Sequence, residues 1–118
     1  MQFLLDTHTF IWFINGNNSL SNTAVNNIKN INYKCYISIT SIWEIAIKAN
    51  LNKLDLKYGF DKIPDLLINN EIEILPITFE HIQMLNKLEF HHKDPFDRVI
   101  IAQAITEKFT VITVDEWR

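Results

Sequence analysis

Four short apolar runs, separated by longer segments of helical spacing, constrain this chain more than any other feature. Gln2 to Leu5, Lys34 to Ser38, Glu71 to Ile77 and Thr110 to Val114 are too short for stable helices, and they largely lack the polar alternation of a strand with one wet face. They read as strands buried on both sides, which implies a parallel sheet covered by helices and joined by right-handed crossovers. The first intervening helix carries Phe10, Ile11, Trp12 and Ile14 and breaks at Asn15-Gly16-Asn17-Asn18. Leu20 to Asn30 forms the second, with Ser19 or Ser21 as N-cap. A third, capped by Thr40 or Ser41, runs to about Asn50, and Pro64 marks the start of a short one over Ile63 to Asn69. Thr78 to Leu88 is a helix carrying Phe79, Ile82, Leu85 and Leu88, and Pro95 opens a helix reaching about Lys108.

No repeat or linker divides the sequence, so residues 1–118 form one domain, and 47% apolar residues supply it with a core. No apolar run approaches the ~20 residues of a membrane span. Met1-Gln2 carries no basic region and Asp6 interrupts the first apolar run, so no signal peptide is expected. The single cysteine, Cys35, lies in a strand and reads as a buried, inert thiol. It suits a reducing compartment, and the cytoplasm is the expected location.

Five carboxylates stand at element boundaries or beside apolar helical runs, where a folding chain gains little from charge. Asp6 and Asp115 are each expected just after a strand; Glu44 lies in Ser41-Ile42-Trp43-Glu44; Asp94 and Asp97 flank Pro95-Phe96. Each has an ordinary explanation. Asp6 suits a helix cap, and Asp115 a turn. Ser41 and Glu44 have the spacing of a capping box, and Lys48 is placed to pair with Glu44 one helical turn on. Asp94 and Asp97 favour the dipole of their helix. Their concurrence favours a site, because acids at strand ends and helix starts meet at the carboxyl edge of a parallel sheet, near the switch in strand order.

Carboxylates gathered there repel one another and call for a divalent cation. Hard oxygen donors suit Mg²⁺ or Mn²⁺, and such ions activate water and stabilise charge at phosphorus. No Cys/His spacing suggests structural zinc, and no glycine pattern suggests a nucleotide phosphate loop. His91-His92 reads as a solvated loop before it reads as a ligand pair. The net charge of −3 excludes no phosphate substrate: fourteen acids less these five leaves nine, against eleven Lys and Arg.

Leu4-Leu5-Asp6-Thr7-His8 with Trp12, Ser38 through Ile45, Asp94-Pro95-Phe96-Asp97-Arg98 through Ala104, and Thr113-Val114-Asp115 resemble the motifs of PIN-domain nucleases. Within these the chain is most similar to VapC-type toxins of bacterial toxin–antitoxin systems, and the resemblance covers essentially its whole length. It implies a three-layer α/β domain with a central, mainly parallel four-stranded sheet flanked by helices. It also implies a Mg²⁺- or Mn²⁺-dependent endoribonuclease with Asp6, Glu44, Asp97 and Asp115 as catalytic, metal-holding acids. Asp94 and Thr113 become accessory residues, and Arg98 a contact to RNA or antitoxin. The implied partners are an RNA substrate, a cognate antitoxin protein and a second copy of the chain in a homodimer, with no membrane. Phe10, Trp12, Phe13 and Ile14 supply apolar surface for an antitoxin groove or, more simply, for the core. The chain departs from the family pattern by stopping at Arg118, so the final edge strand is expected to be missing, leaving an open edge beside the Asp115 strand.

Two other readings remain open. A phosphohydrolase would use Asp6 as nucleophile, but its second Asp two residues on is replaced by His8. A PIN-fold binding module without turnover would act through an antitoxin-like partner.

Overall fold

The first strand shows why the chain needs two helical layers: Phe3, Leu4 and Leu5 are all buried, although successive side chains point to opposite faces. The computed structural model describes residues 1–89 and 94–114. Its elements run β1 (Gln2–Leu5), α1 (Thr7–Asn15), α2 (Asn22–Lys29), β2 (Lys34–Ser38), α3 (Ile39–Asn50), a 3₁₀ turn (Phe60–Lys62), α4 (Ile63–Asn69), β3 (Ile72–Leu75), α5 (Phe79–Lys87), α6 (Pro95–Glu107) and β4 (Thr110–Ile112). The sheet has the order β3-β2-β1-β4, with every pairing parallel. On one face Phe3, Leu5, Cys35 and Ile37 meet Phe10, Ile11 and Ile14 of α1, together with α2 and α4 residues such as Ile28 and Leu67. On the other, Leu4 and Leu75 meet Ile100 and Ala104 of α6. The result is the expected three-layer α/β sandwich, and no described helix is long and apolar enough to cross a membrane.

Sequence signals set most boundaries. Ser21 caps α2 by accepting from the Ala24 N–H, and Gly16 ends α1 at φ +66°, where a Cβ is strained. Three boundaries differ from expectation. The cap of α3 is Ser38, not Thr40 or Ser41: its hydroxyl accepts from the Thr40 N–H, so the helix begins directly at the end of β2. β3 is shorter than Glu71 to Ile77, because Glu71 sits at φ +55° and Pro76 has no N–H to extend the ladder. β4 ends at Ile112, whose carbonyl accepts from the Asp6 N–H just where the neighbouring chain turns into α1.

Of the apolar residues carried by α5, Leu85 is half-buried, as is Leu88 at its C-cap, and Ile82 and Phe79 are exposed. Phe79 is 75% exposed, while His81 is 1% exposed. His81 Nδ1 accepts from the Thr78 N–H, which fixes Nε2 as the donor to Glu107 Oε2 at 2.7 Å. A polar network links α5 to α6 through His81. Cys35 is buried, and that burial raises its thiol pKa, as suits an inert residue.

Candidate functional site

The chain climbs from β1 to β2 and then β3 on one side, and returns to β4 on the other side of β1. The strand order therefore switches at the carboxyl ends of β1 and β4, where crevices form in open parallel sheets. Asp6 stands there. It is also the N-cap of α1: Oδ1 accepts from the Thr9 N–H at 2.8 Å. Thr113, the first residue past β4, donates its hydroxyl to Oδ2 at 2.5 Å. Capping thus engages one oxygen of Asp6, and the accessory hydroxyl expected at Thr113 holds the other.

Glu44 comes from the second turn of α3 and is 4% exposed. With Ser38 as cap, Ser41 and Glu44 form no capping box. Thr7 Oγ1 lies 2.8 Å from Ser41 Oγ and 2.9 Å from Glu44 Oε1. A hydroxyl has one proton and a carboxylate only accepts, so Thr7 donates to Glu44 and Ser41 donates to Thr7. The other oxygen, Oε2, accepts from Lys48 Nζ at 2.7 Å. Buried carboxylates need such partners, and Glu44 has one on each oxygen.

Asp97 lies in the first turn of α6, and Asp94 is that helix's N-cap, accepting from the Phe96 N–H at 2.8 Å. Trp43 of α3 meets Phe96 edge to face at 5.2 Å, which ties the helices that carry Glu44 and Asp97. Although Asp97 is exposed by surface area, protein around its carboxyl raises the pKa above 3.8. Partial desolvation is the largest cause, followed by the charges of Asp94, Glu44 and Asp6, while His8 opposes them. Acids from α6, α3 and the end of β1 thus act electrostatically on one carboxyl.

Asp115, His91 and His92 lie outside the described residues. The guanidinium of Arg98 donates to the Glu89 carbonyl at 3.2 Å and reaches that of Leu85, at the end of α5. Phe10 and Ile14 belong to the core, and Trp12 and Phe13 pack against it half-buried. Thr7, Ser41 and His8 were not singled out from the sequence as site residues. The pattern Asp6-Thr7-x-Thr9, with two hydroxyls opening an otherwise apolar helix, was the available signal.

Among the described residues, no group of three His, Cys, Asp or Glu side chains is arranged to hold a metal ion. Magnesium does not require one: it keeps several waters and takes one or two carboxylates. Asp6 and Asp97 fit that demand as hard oxygen donors, and beyond desolvation, the larger cause, the charges of Asp94, Glu44 and Asp6 that raise the Asp97 pKa are ones a cation would offset.

A family model described as PIN domain matches residues 3–116. Comparison with curated proteins gave no match. Among the solved structures that resemble the chain is the crystal structure of VapBC2 from Rickettsia felis bound to a DNA fragment from their promoter. It shares 20% identity, over 98% of this chain and 88% of that chain, with a TM-score of 0.72. A likeness at that identity establishes the fold.

Proposed function

We propose, because this chain belongs to the PIN-domain family, that it is a Mg²⁺- or Mn²⁺-dependent endoribonuclease and the toxin of a bacterial toxin–antitoxin pair, working in the cytoplasm. Asp6, Glu44, Asp97 and Asp115 are its catalytic and metal-holding acids in this reading. Asp6 and Asp97 are direct ligands; Glu44 and Asp115 act directly or through water. The observation that carries the reading is the crowding at Asp97, where partial desolvation first, and then the charges of Asp94, Glu44 and Asp6 from three separate elements, raise the carboxyl's pKa. Structural ion networks seldom gather like charges without a reason, and a cation site supplies one.

When bound, a divalent ion lowers the pKa of water and stabilises charge developing on phosphodiester oxygens. The chain's own residues provide the preorganisation. Thr9 and Thr113 fix the two oxygens of Asp6, and Thr7 and Lys48 fix those of Glu44. None of these carboxylates needs to reorient when substrate arrives. Asp94 holds the start of α6, and with it Asp97.

The partner side of the proposal is supported by the resemblance to VapBC2 and by an apolar stripe on α3. Ile39, Trp43, Ile47 and Leu51 recur every fourth residue and all are exposed. A stripe of that kind marks a protein-binding face more often than a solvent face.

Incubation with RNA tests the activity. Cleavage is expected with Mg²⁺ or Mn²⁺ and should stop with EDTA or Asp6→Asn; cleavage that survives both would sink the mechanism. The engagement of both Glu44 oxygens favours, as second reading, a PIN-fold binding module that acts through an antitoxin-like partner. Mn²⁺ binding without cleavage of any RNA would decide for it.

A further inference from the structure

The contact between α5 and α6 holds a titratable ring that the proposed chemistry leaves unused. Thr78 and His81 form a capping box: the Thr78 hydroxyl accepts from the His81 N–H at 3.3 Å, and His81 Nδ1 accepts from the Thr78 N–H at 3.0 Å. The return position of such a box ordinarily holds Glu or Gln, whose side-chain oxygen accepts at neutral pH. A histidine accepts there only while Nδ1 carries no proton. Beside the ring stands Gln103 of α6, fully buried. Its Nε2 donates to the Pro76 carbonyl at 3.2 Å and lies 3.5 Å from Nδ1, whose one lone pair the Thr78 N–H already occupies. Its Oε1 is buried and, among the described residues, has no hydrogen-bond partner. A buried acceptor left unpaired is costly, and one beside an ionisable ring calls for a reason.

We propose that His81 and Gln103 form a proton-operated latch on the connection from β3 to α5, closed while the ring is neutral and open once it is protonated. In the closed state the ring holds the Thr78 N–H, and Gln103 holds the Pro76 carbonyl. A proton on Nδ1 removes the acceptor for Thr78, and no rotation of an imidazolium restores one, because both of its nitrogens donate. Turning the Gln103 amide over then brings Oε1 to the new N–H and lets go of the Pro76 carbonyl in the same movement. Gln103 makes one bond in either orientation, so the proton decides between them. Glu107 accepts from Nε2 in both states, which keeps the ring anchored to α6. The ring, 1% exposed, thus keeps a partner on each nitrogen, while the groups released belong to exposed Pro76 and Thr78 and can turn to water. Among the described residues the ionisable group that meets the ring is Glu107; Gln103, Pro76 and Thr78 carry no charge, and Glu80 in the same turn of α5 is exposed. Histidine is the side chain that ordinarily changes charge between about pH 5 and 8, so mild acid is the signal such a latch reads.

Nitrogen-15 NMR of the full chain in EDTA, titrated with acid, reads the ring, the Thr78 amide and the Gln103 side-chain amide in one sample. At high pH the ring is expected in its Nε2–H form, with the Thr78 amide protected from solvent exchange. As the ring takes its second proton, that protection, corrected for the intrinsic pH dependence of exchange, should fall about tenfold, the worth of one hydrogen bond. The Gln103 amide should shift with the same midpoint. His81→Gln keeps a capping-box acceptor that does not titrate and should hold Thr78 unchanged over the range. Gln103→Met removes the waiting acceptor and should move the release to lower pH. Glu107→Gln leaves Nδ1 untouched, so its release should still follow the ring. A Thr78 amide that stays bonded while the ring titrates, a ring that remains neutral until the chain unfolds, or a Gln103→Met chain that releases like the wild type would overturn the proposal. So would release in His81→Gln at the wild-type pH, or release in Glu107→Gln that no longer follows the ring, because either assigns the event to another group.

Discussion

Replacing Thr7 by valine removes one hydroxyl and almost no volume, and the structure makes that hydroxyl the joint between α1 and α3. Thr7 is 4% exposed and Ser41 is fully buried, so no water stands ready to replace either lost contact. Glu44 would lose a hydrogen bond to an ionised group, worth about 1.5–3 kcal/mol, and the Ser41 hydroxyl would be left without its acceptor, at about 1–3 kcal/mol. The two losses share one atom and do not simply add, so about 3 kcal/mol is expected in total. For a domain of this length, that lowers Tm by about 12 °C, at about 4 °C per kcal/mol.

Thermal and urea unfolding of Thr7→Val and Thr7→Ser, both in EDTA so that metal linkage does not enter, measures the effect. Thr7→Ser keeps the hydroxyl and loses a methyl group, so it should cost only about 0.8 kcal/mol. Combining Thr7→Val with Glu44→Gln should show a coupling of about 1–2 kcal/mol, since the pair is in contact. A Thr7→Val chain within about 0.5 kcal/mol of the wild type would refute the argument. So would a Thr7→Ser chain as damaged as Thr7→Val, because the hydroxyl would then not be what matters.

Two other residues give expectations of different kinds. Asp97 holds its proton more tightly in the folded chain than in the unfolded one, so between 3.8 and the raised folded value the folded metal-free protein binds more protons than the unfolded chain, and it loses stability as pH rises across that window. Asp97→Asn removes this loss, and urea titrations in EDTA should show its advantage over the wild type growing with pH; a difference constant with pH would refute the raised pKa. His81→Phe should destabilise by about 2–3 kcal/mol, because it leaves the Thr78 N–H and Glu107 without their partner, whereas Glu107→Gln should cost about 1 kcal/mol. Equal effects of the two changes would argue against the network as described.

How much of this was legible in the sequence depends on whether the signal is local. Gly16 after an apolar helix and Ser21 before the next are chemically suited to their positions wherever the chain goes, and both lie where the sequence puts them. The cap of α3 was misplaced because three hydroxyl residues, Ser38, Thr40 and Ser41, all precede the apolar run; only the point where β2 ends selects Ser38. On α5 the apolar residues stand out in the sequence, yet His81 makes the buried polar link to α6, and no local pattern announces a partner twenty-six residues away. The site divides in the same way. Asp6, Glu44 and Asp97 stand out as charges beside apolar runs. The pairing of Thr7 with Glu44 spans thirty-seven residues and could be seen only once α1 and α3 were packed together.

That division bears on how an acidic site is held together at all. An aspartate or glutamate can be oriented by a base, which cancels its charge, or by hydroxyl and amide donors, which do not. Thr113 and the Thr9 N–H orient Asp6, and Thr7, steadied by Ser41, orients one side of Glu44, all without neutralising a carboxylate. The negative charge survives, and next to desolvation the charges of Asp94, Glu44 and Asp6 are what raise the pKa of Asp97. Glu44, the deepest of the described acids, also takes the Lys48 ammonium on its other oxygen, where an unpaired charge would be most costly. Burial thus decides the partner: half-buried Asp6 is held by neutral donors alone, and Glu44, almost wholly buried, takes a hydroxyl on one oxygen and a cation on the other.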